Sequence, residues 1–158
     1  GKTKLDGEIA IKKINPINSI IIRTSWLYSL FGNNFMTTML SLAKDKNDIN
    51  VVRDQLGSPT NARDLAMLIL TILPRINNNN VELFHFSNEG YCSWYEFAKA
   101  IFIVNNIDIT LNPIESSQYP VKAKRPKYSV LDSKLIKNKF DLTILSWEES
   151  LRSIMKLA

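Results

Sequence analysis

Residues 19–24, Ser-Ile-Ile-Ile-Arg-Thr, constrain this chain most. Three isoleucines in a row with no polar alternation mark a short strand buried on both faces, the pattern of a parallel sheet. Parallel strands are joined by crossovers, usually helical, and the flanking sequence supplies the helices. Leu5, Ile9 and Ile14, with Ile11 or Lys12, approximate a helical stripe that stops at Asn15-Pro16, and Glu8 is spaced to pair with Lys12. A second helix is expected over residues 35–46, capped by Asn34, with Phe35, Met39, Leu40 and Leu42 inward. An apolar helix over 62–73 is ended by Pro74, and Ser93 with Glu96 forms a capping box for a helix over 94–105. Asp132 or Ser133 starts a helix reaching Lys139, and a last amphipathic helix begins near Ser146. Strands are expected at 50–53, 81–86 and 107–111, with residues 113–126 extended and punctuated by proline. Residues 54–60, Asp-Gln-Leu-Gly-Ser-Pro-Thr, read as a turn-rich loop, and the asparagines at 77–80 as a solvated connection. The alternation places the chain in the α/β class.

Composition narrows the function. With 158 residues the chain fits one domain, and 45% apolar against 22% charged residues is enough to fold around a core. Its apolar runs, such as 20–22 and 67–70, fall far short of the roughly 18 residues of a membrane span, so no membrane partner is expected. One cysteine, Cys92, and one histidine, His85, exclude an internal disulfide and a four-ligand zinc cage, which makes the cytoplasm the expected compartment. The net charge of +5 suits an anionic partner such as a nucleotide, a phosphosugar or a nucleic acid. Only residues 122–127 are densely basic, and no aromatic and basic motif accompanies them, so nucleic acid is not the expected partner. None of the five glycines stands in a spacing that cradles a pyrophosphate. Most of any nucleotide-cofactor site is therefore expected to lie elsewhere. The sequence opens without an initiator Met or a targeting segment, already inside a helical pattern, and reads as cut.

Three blocks carry a resemblance. The opening Gly1-Lys2-Thr3-Lys4-Leu5-Asp6-Gly7-Glu8 is similar to the sequence after the catalytic tyrosine of extended short-chain dehydrogenases, in a Tyr-x-x-x-Lys motif whose tyrosine would precede Gly1. Arg23-Thr24-Ser25-Trp26-Leu27-Tyr28, followed by Gly32-Asn33-Asn34-Phe35, resembles a more specific block of the dTDP-4-dehydrorhamnose reductases. Asp54-Gln55-Leu56-Gly57-Ser58-Pro59-Thr60 resembles that family's D-Q-x-G-x-P-T loop, and Arg125-Pro126 with Ser129, Leu131 and Asp132 resembles its late R-P segment. Order and spacing fit over essentially the whole chain.

The resemblance implies the C-terminal portion of such a reductase: the last strands and helices of a Rossmann-like sheet plus a small α/β substrate-binding domain, with the N-terminal cofactor-binding half absent. About residues 1–32 and part of 50–90 would lie on the Rossmann side, and about 33–50 and 91–158 on the substrate side. The implied reaction reduces dTDP-4-dehydro-L-rhamnose with NADPH or NADH for cell-surface polysaccharide synthesis, and the chain is expected to be inactive without the missing half. Lys4 would be catalytic, lowering the tyrosine pKa and bonding the nicotinamide ribose, because four residues make about one helical turn and put both side chains on one face. Thr24 and Ser25 would lie beside the nicotinamide. Trp26, Asn34, Gln55 and Arg125 would bind substrate: Trp26 at the deoxysugar, Arg125 as a diphosphate clamp reinforced by Lys122 and Lys124.

Each residue also has a plainer reading. Lys4 can be a solvated lysine, Trp26 a core residue under a loop, Thr24-Ser25 a turn, Asn34 a helix cap alone and Arg125 part of an exposed basic loop. Gly57 and Pro59 would only shape the loop, and His85 reads as a packed or partner-satisfied strand residue. Two departures from the family stand out. Tyr128 occupies a position where asparagine is common, and Arg63, followed by Asp64, occupies the region of a carboxylate that holds magnesium between subunits in some members. No metal ligand is therefore assigned, Mg2+ and a homodimer are left open, and Glu148 or Glu149 is the remaining ligand candidate. The alternative function is a non-catalytic regulatory subunit like that of methionine adenosyltransferase, which resembles these reductases.

Overall fold

The computed structural model describes residues 1–119, 123 and 125–155. Lys122 and Lys124 lie outside them. Among the described residues six α-helices and eight strands follow one another as α1 (Lys2–Ile14), β1 (Ile20–Arg23), β2 (Leu27–Tyr28), α2 (Phe35–Asp45), β3 (Asp48–Val52), β4 (Leu56–Gly57), β5 (Thr60–Asn61), α3 (Ala62–Ile72), β6 (Glu82–His85), β7 (Cys92–Ser93), α4 (Trp94–Val104), β8 (Thr110–Ile114), α5 (Lys134–Phe140) and α6 (Trp147–Met155). The pairs β1–β6, β2–β5 and β3–β8 are parallel and β4–β7 is antiparallel.

Helix ends follow local chemistry. Asn34 accepts from the Thr37 backbone N–H while the Thr37 side chain accepts from that of Asn34, and Ser93 and Glu96 close the same reciprocal box on α4. Ser146 and Glu149 repeat it before α6, where the Ser146 hydroxyl holds the Glu149 carboxyl below its usual range. Asn15 ends α1 in the left-handed conformation at φ 49 before Pro16, and Pro74 sits in a 3-10 turn after α3.

Two apolar clusters form. One gathers Tyr28, Met36, Met39, Ile49, Val51 and Cys92 with Phe97, Ile101, Trp147 and Leu151, using the inner faces of α2, α4 and α6 against β3. The other packs Leu68 and Ile72 of α3, Phe84 and Phe86 of the β6 segment, and Ile136 and Phe140 of α5. Between them runs a buried polar network. The Asn88 carboxamide accepts from the Asn61 backbone N–H (2.9 Å) and donates to Asp64 (2.7 Å), the Ser150 hydroxyl donates to the same Asp64 oxygen, and the Asn61 amide donates to Ser150 (3.0 Å). Every member is hydrogen-bonded, as burial demands.

Several expectations shift. β1 is half-buried rather than covered on both faces, because its described partner is β6 alone and α1 buries no residue. Glu8 turns from Lys12 to Arg23 and forms a two-pronged ion pair (2.6 and 2.8 Å) that holds the Glu8 carboxyl below its usual range. The last strand begins at Thr110 instead of Ile107, because the Ile107 N–H closes the end of α4 on the Phe102 carbonyl. Pro113 is tolerated within that strand because, among the described residues, β8 pairs with β3 alone. Residues 54–60 are not a free loop: β4 and β5 pin them to β7 and β2. His85 is half-buried, and its Nε2 finds no hydrogen-bond partner among the described residues. No helix among the described residues is long and apolar enough to cross a membrane.

Candidate functional site

The site is built around residues 54–60 and the return of residues 125–129 beside them. The Leu56 N–H donates to the Lys127 carbonyl (2.8 Å) and the Leu56 carbonyl accepts from the Ser129 N–H (2.8 Å) and hydroxyl (3.0 Å). This short parallel ladder brings Arg125 beside Gln55, although seventy positions separate them in sequence. Farther along, Asp54 accepts from the Ser116 N–H and hydroxyl (both 2.8 Å), which lowers the Asp54 pKa and fixes the turn at 116–118.

Two adjoining hollows result. The larger, about 490 Å3, is lined by Phe35, Met39, Asn50, Val51, Ser116 and Tyr119, among others. The smaller, about 220 Å3, is lined by Ser25, Trp26, Pro126 and Ser129. Gln55, Trp94 and Arg125 line both and form the boundary between them. A largely buried amide, an indole and an exposed guanidinium thus stand where the two spaces meet. Such a set can hydrogen-bond a base or sugar hydroxyl, stack on a ring and grip phosphate oxygens.

Trp26 is fixed from three sides. Its backbone is left-handed at φ 46, its carbonyl accepts from the Thr60 N–H (3.0 Å), and its indole stacks on Trp94 at 3.5 Å between centroids and 10° between planes. The Cε2–Nε1 side of its ring lies against Gly57, where an added Cβ would sit 2.4 Å from Cε2. The expected sugar-facing indole therefore has one face already covered by Trp94.

The other sequence candidates divide. Gln55, Trp26, Arg125 and Ser25 converge on the smaller hollow, with the Ser25 hydroxyl donating to the Ser58 carbonyl (3.1 Å). Asn34 lies off both hollows. Its side chain caps α2 and donates to the carbonyls of Ser29 (2.9 Å) and Phe31 (3.2 Å). Lys4 and Thr24 are exposed and line neither hollow. Glu8 grips Arg23 at the end of β1, Thr24 follows that strand directly, and Lys4 precedes Glu8 by one helical turn of α1. Trp94, Phe35, Tyr119 and Ser116 were not among the sequence candidates. Trp94 read only as the first residue after a cap, and nothing in its local spacing announces that it faces Trp26.

Among the described residues no three His, Cys, Asp or Glu side chains converge on a metal position. Asp64 is engaged by Asn88 and Ser150, and Glu149 by Ser146.

Residues 1–158 match the family model described as the RmlD substrate binding domain. The chain belongs to that family. It is 39% identical over 163 residues to a dTDP-4-dehydrorhamnose reductase from Sinorhizobium fredii, covering 98% of this chain and 55% of the relative. It is 38% identical to the spore coat polysaccharide biosynthesis protein SpsK of Bacillus subtilis, covering 99% and 53%. Among solved structures, a dTDP-4-dehydrorhamnose reductase from Bacillus anthracis in complex with NADP superposes with a TM-score of 0.91 at 37% identity, covering 100% of this chain and 54% of that one. A reductase ortholog from Clostridium acetobutylicum gives 0.89 at 42% identity, covering 99% and 54%. A UDP-N-acetylglucosamine 4-epimerase from Bacillus cereus, at 17% identity and a TM-score of 0.68, shares the fold. The RmlD-type chain thus has the mixed α/β fold of the C-terminal part of an extended short-chain dehydrogenase, and it spans about half the length of the curated relatives it matches.

Proposed function

We propose that this chain forms the nucleotide-sugar wall of a reductase that converts dTDP-4-dehydro-L-rhamnose to dTDP-L-rhamnose. The observation that carries the reading is the convergence of Trp26, Gln55 and Arg125 on adjoining hollows off the carboxyl end of β1. Arg125 offers paired donors to a diphosphate, Gln55 reads a carbonyl or hydroxyl edge, and Trp26 walls the sugar compartment. The similarity to reductases of that name supports this substrate class.

Reduction of the 4-ketone takes a hydride and a proton. NADPH or NADH supplies the hydride when bound. The donors of this chain suit one end of such a cofactor: the Lys4 ammonium and the Thr24 hydroxyl, both open to solvent, match ribose hydroxyls, and no glycine-rich turn here matches its diphosphate. In this reading Lys4 holds the ribose and lowers the pKa of a neighbouring proton donor.

Calorimetric titration of the chain with dTDP-L-rhamnose tests the proposal. Binding is expected, and Arg125→Ala should weaken it by about 1.5 to 3 kcal/mol as the charge-assisted phosphate contact is lost. No heat from the wild-type chain, or equal affinity in the variant, overturns the reading.

A further inference from the structure

We propose that Trp94 is a positioning residue of this site, setting the Trp26 indole in the one orientation that leaves the sugar compartment open; this rests on the nucleotide-sugar reading above. A bulky residue in the left-handed region is costly and persists only where its surroundings over-determine it. Around Trp26 those surroundings are the Thr60 hydrogen bond, the bare backbone of Gly57 and the stacked face of Trp94.

Trp94 is itself anchored. It is the first residue of α4, directly after Ser93, whose hydroxyl accepts from the Glu96 N–H (3.1 Å) and whose own N–H donates to the Glu96 carboxylate (2.7 Å). Phe35 leans on its ring at 4.6 Å, and Phe97, fully buried, stacks on Phe35 at 5.7 Å. A relay of rings therefore runs from the core through Phe97, Phe35 and Trp94 to Trp26. Its outer member faces the smaller hollow, and Trp94 also borders the larger one. Without the Trp94 ring, Trp26 is free to swing about χ1 into the space where the sugar belongs, while Gln55 and Arg125, held by the ladder at 127–129, keep their places.

The test compares dTDP-L-rhamnose with dTDP as calorimetric probes of the wild-type chain, Trp94→Ala, Trp94→Leu, Trp94→Phe, Trp26→Ala and the Trp26→Ala/Trp94→Ala double variant. Trp94→Leu keeps an apolar side chain at the site should Trp94→Ala fail to fold. The ringless variants should bind dTDP-L-rhamnose about tenfold more weakly. They should keep dTDP within about twofold, since Gln55 and Arg125 stay anchored beside the Leu56 hydrogen bonds to Lys127 and Ser129. Trp94→Phe should restore most of the loss. The double variant should be no worse than Trp26→Ala, since Trp94 acts through Trp26. The far-ultraviolet exciton couplet of the stacked indoles should vanish in each Trp94 variant. If the wild-type chain binds neither probe, the functional reading falls and this inference with it. If it binds both and the ringless variants are unchanged, or lose both probes equally, only the inference falls. Additive losses in the double variant also overturn it, because Trp94 would then touch the ligand independently.

Discussion

Gly57 is where a single methyl group would be felt most. An added Cβ would lie 2.4 to 2.6 Å from Cε2, Cζ2 and Nε1 of Trp26, closer than carbon atoms approach without displacement. Trp26 cannot retreat, since Trp94 stacks on it and its own backbone is tied to Thr60. Gly57→Ala is therefore predicted to cost about 1 to 3 kcal/mol of stability, the usual range for overpacking. It should also weaken nucleotide-sugar binding through the same indole. Urea unfolding gives the first quantity and calorimetry the second; a variant as stable as wild type would show that the contact relaxes freely. The requirement at Gly57 is legible only in three dimensions. In sequence it is one of several turn formers between Asp54 and Thr60, and the residue it must admit lies thirty-one positions earlier.

At the scale of elements, what the sequence shows well is what a few neighbouring residues decide. The caps at Asn34 and Ser93 and the stop at Asn15-Pro16 are local hydrogen-bond and steric facts, and the helices they bound appear as expected, as does the helix beginning near Ser146. The two-residue strands β4 and β5 are not local facts, because their existence depends on β7 and β2 and on the return of residues 127–129. The turn at 116–118 combines both kinds, since Glu115 and Gln118 cap it locally while Ser116 donates to Asp54, sixty-two residues away. That tie is pH-dependent. Its side-chain hydrogen bond to Ser116 holds the Asp54 carboxyl below the ordinary value, so it stabilises the fold above the unfolded carboxylate range, near pH 4, and is lost as pH falls through the lower folded value. Asp54→Ala should melt below wild type at pH 7, and the gap should narrow as the pH is lowered toward 3. Thermal melts of both proteins across that range check this; a gap that is constant or widens in acid would remove the carboxylate from the account.

Across the whole molecule the question is how two apolar clusters behave as one folding unit. The sequence showed an apolar helix over 62–73 and a capped helix over 94–105, but not that these would serve different clusters, since that depends on which strands pair. The polar network of Asn61, Asp64, Asn88 and Ser150 joins the start of α3 and the segment after β6, on one side, to α6 on the other. Buried hydrogen bonds of this kind couple elements because removing one member strands the others without partners, at about 1 to 3 kcal/mol per unsatisfied group. Asn88 is the natural point to cut: it serves the Asn61 N–H, Asp64 and the Leu145 carbonyl together. All three tryptophans lie in or against the α2–α4–α6 cluster, so their fluorescence reports that cluster, whereas far-ultraviolet ellipticity reports both. In wild-type protein the two signals are expected to share one urea midpoint, as for a two-state domain. In Asn88→Ala the midpoints should separate, with ellipticity beginning to fall first as the α3–β6–α5 cluster loosens while the tryptophans stay packed. Coincident midpoints in the variant would mean that direct apolar contact, and not this network, holds the two clusters together.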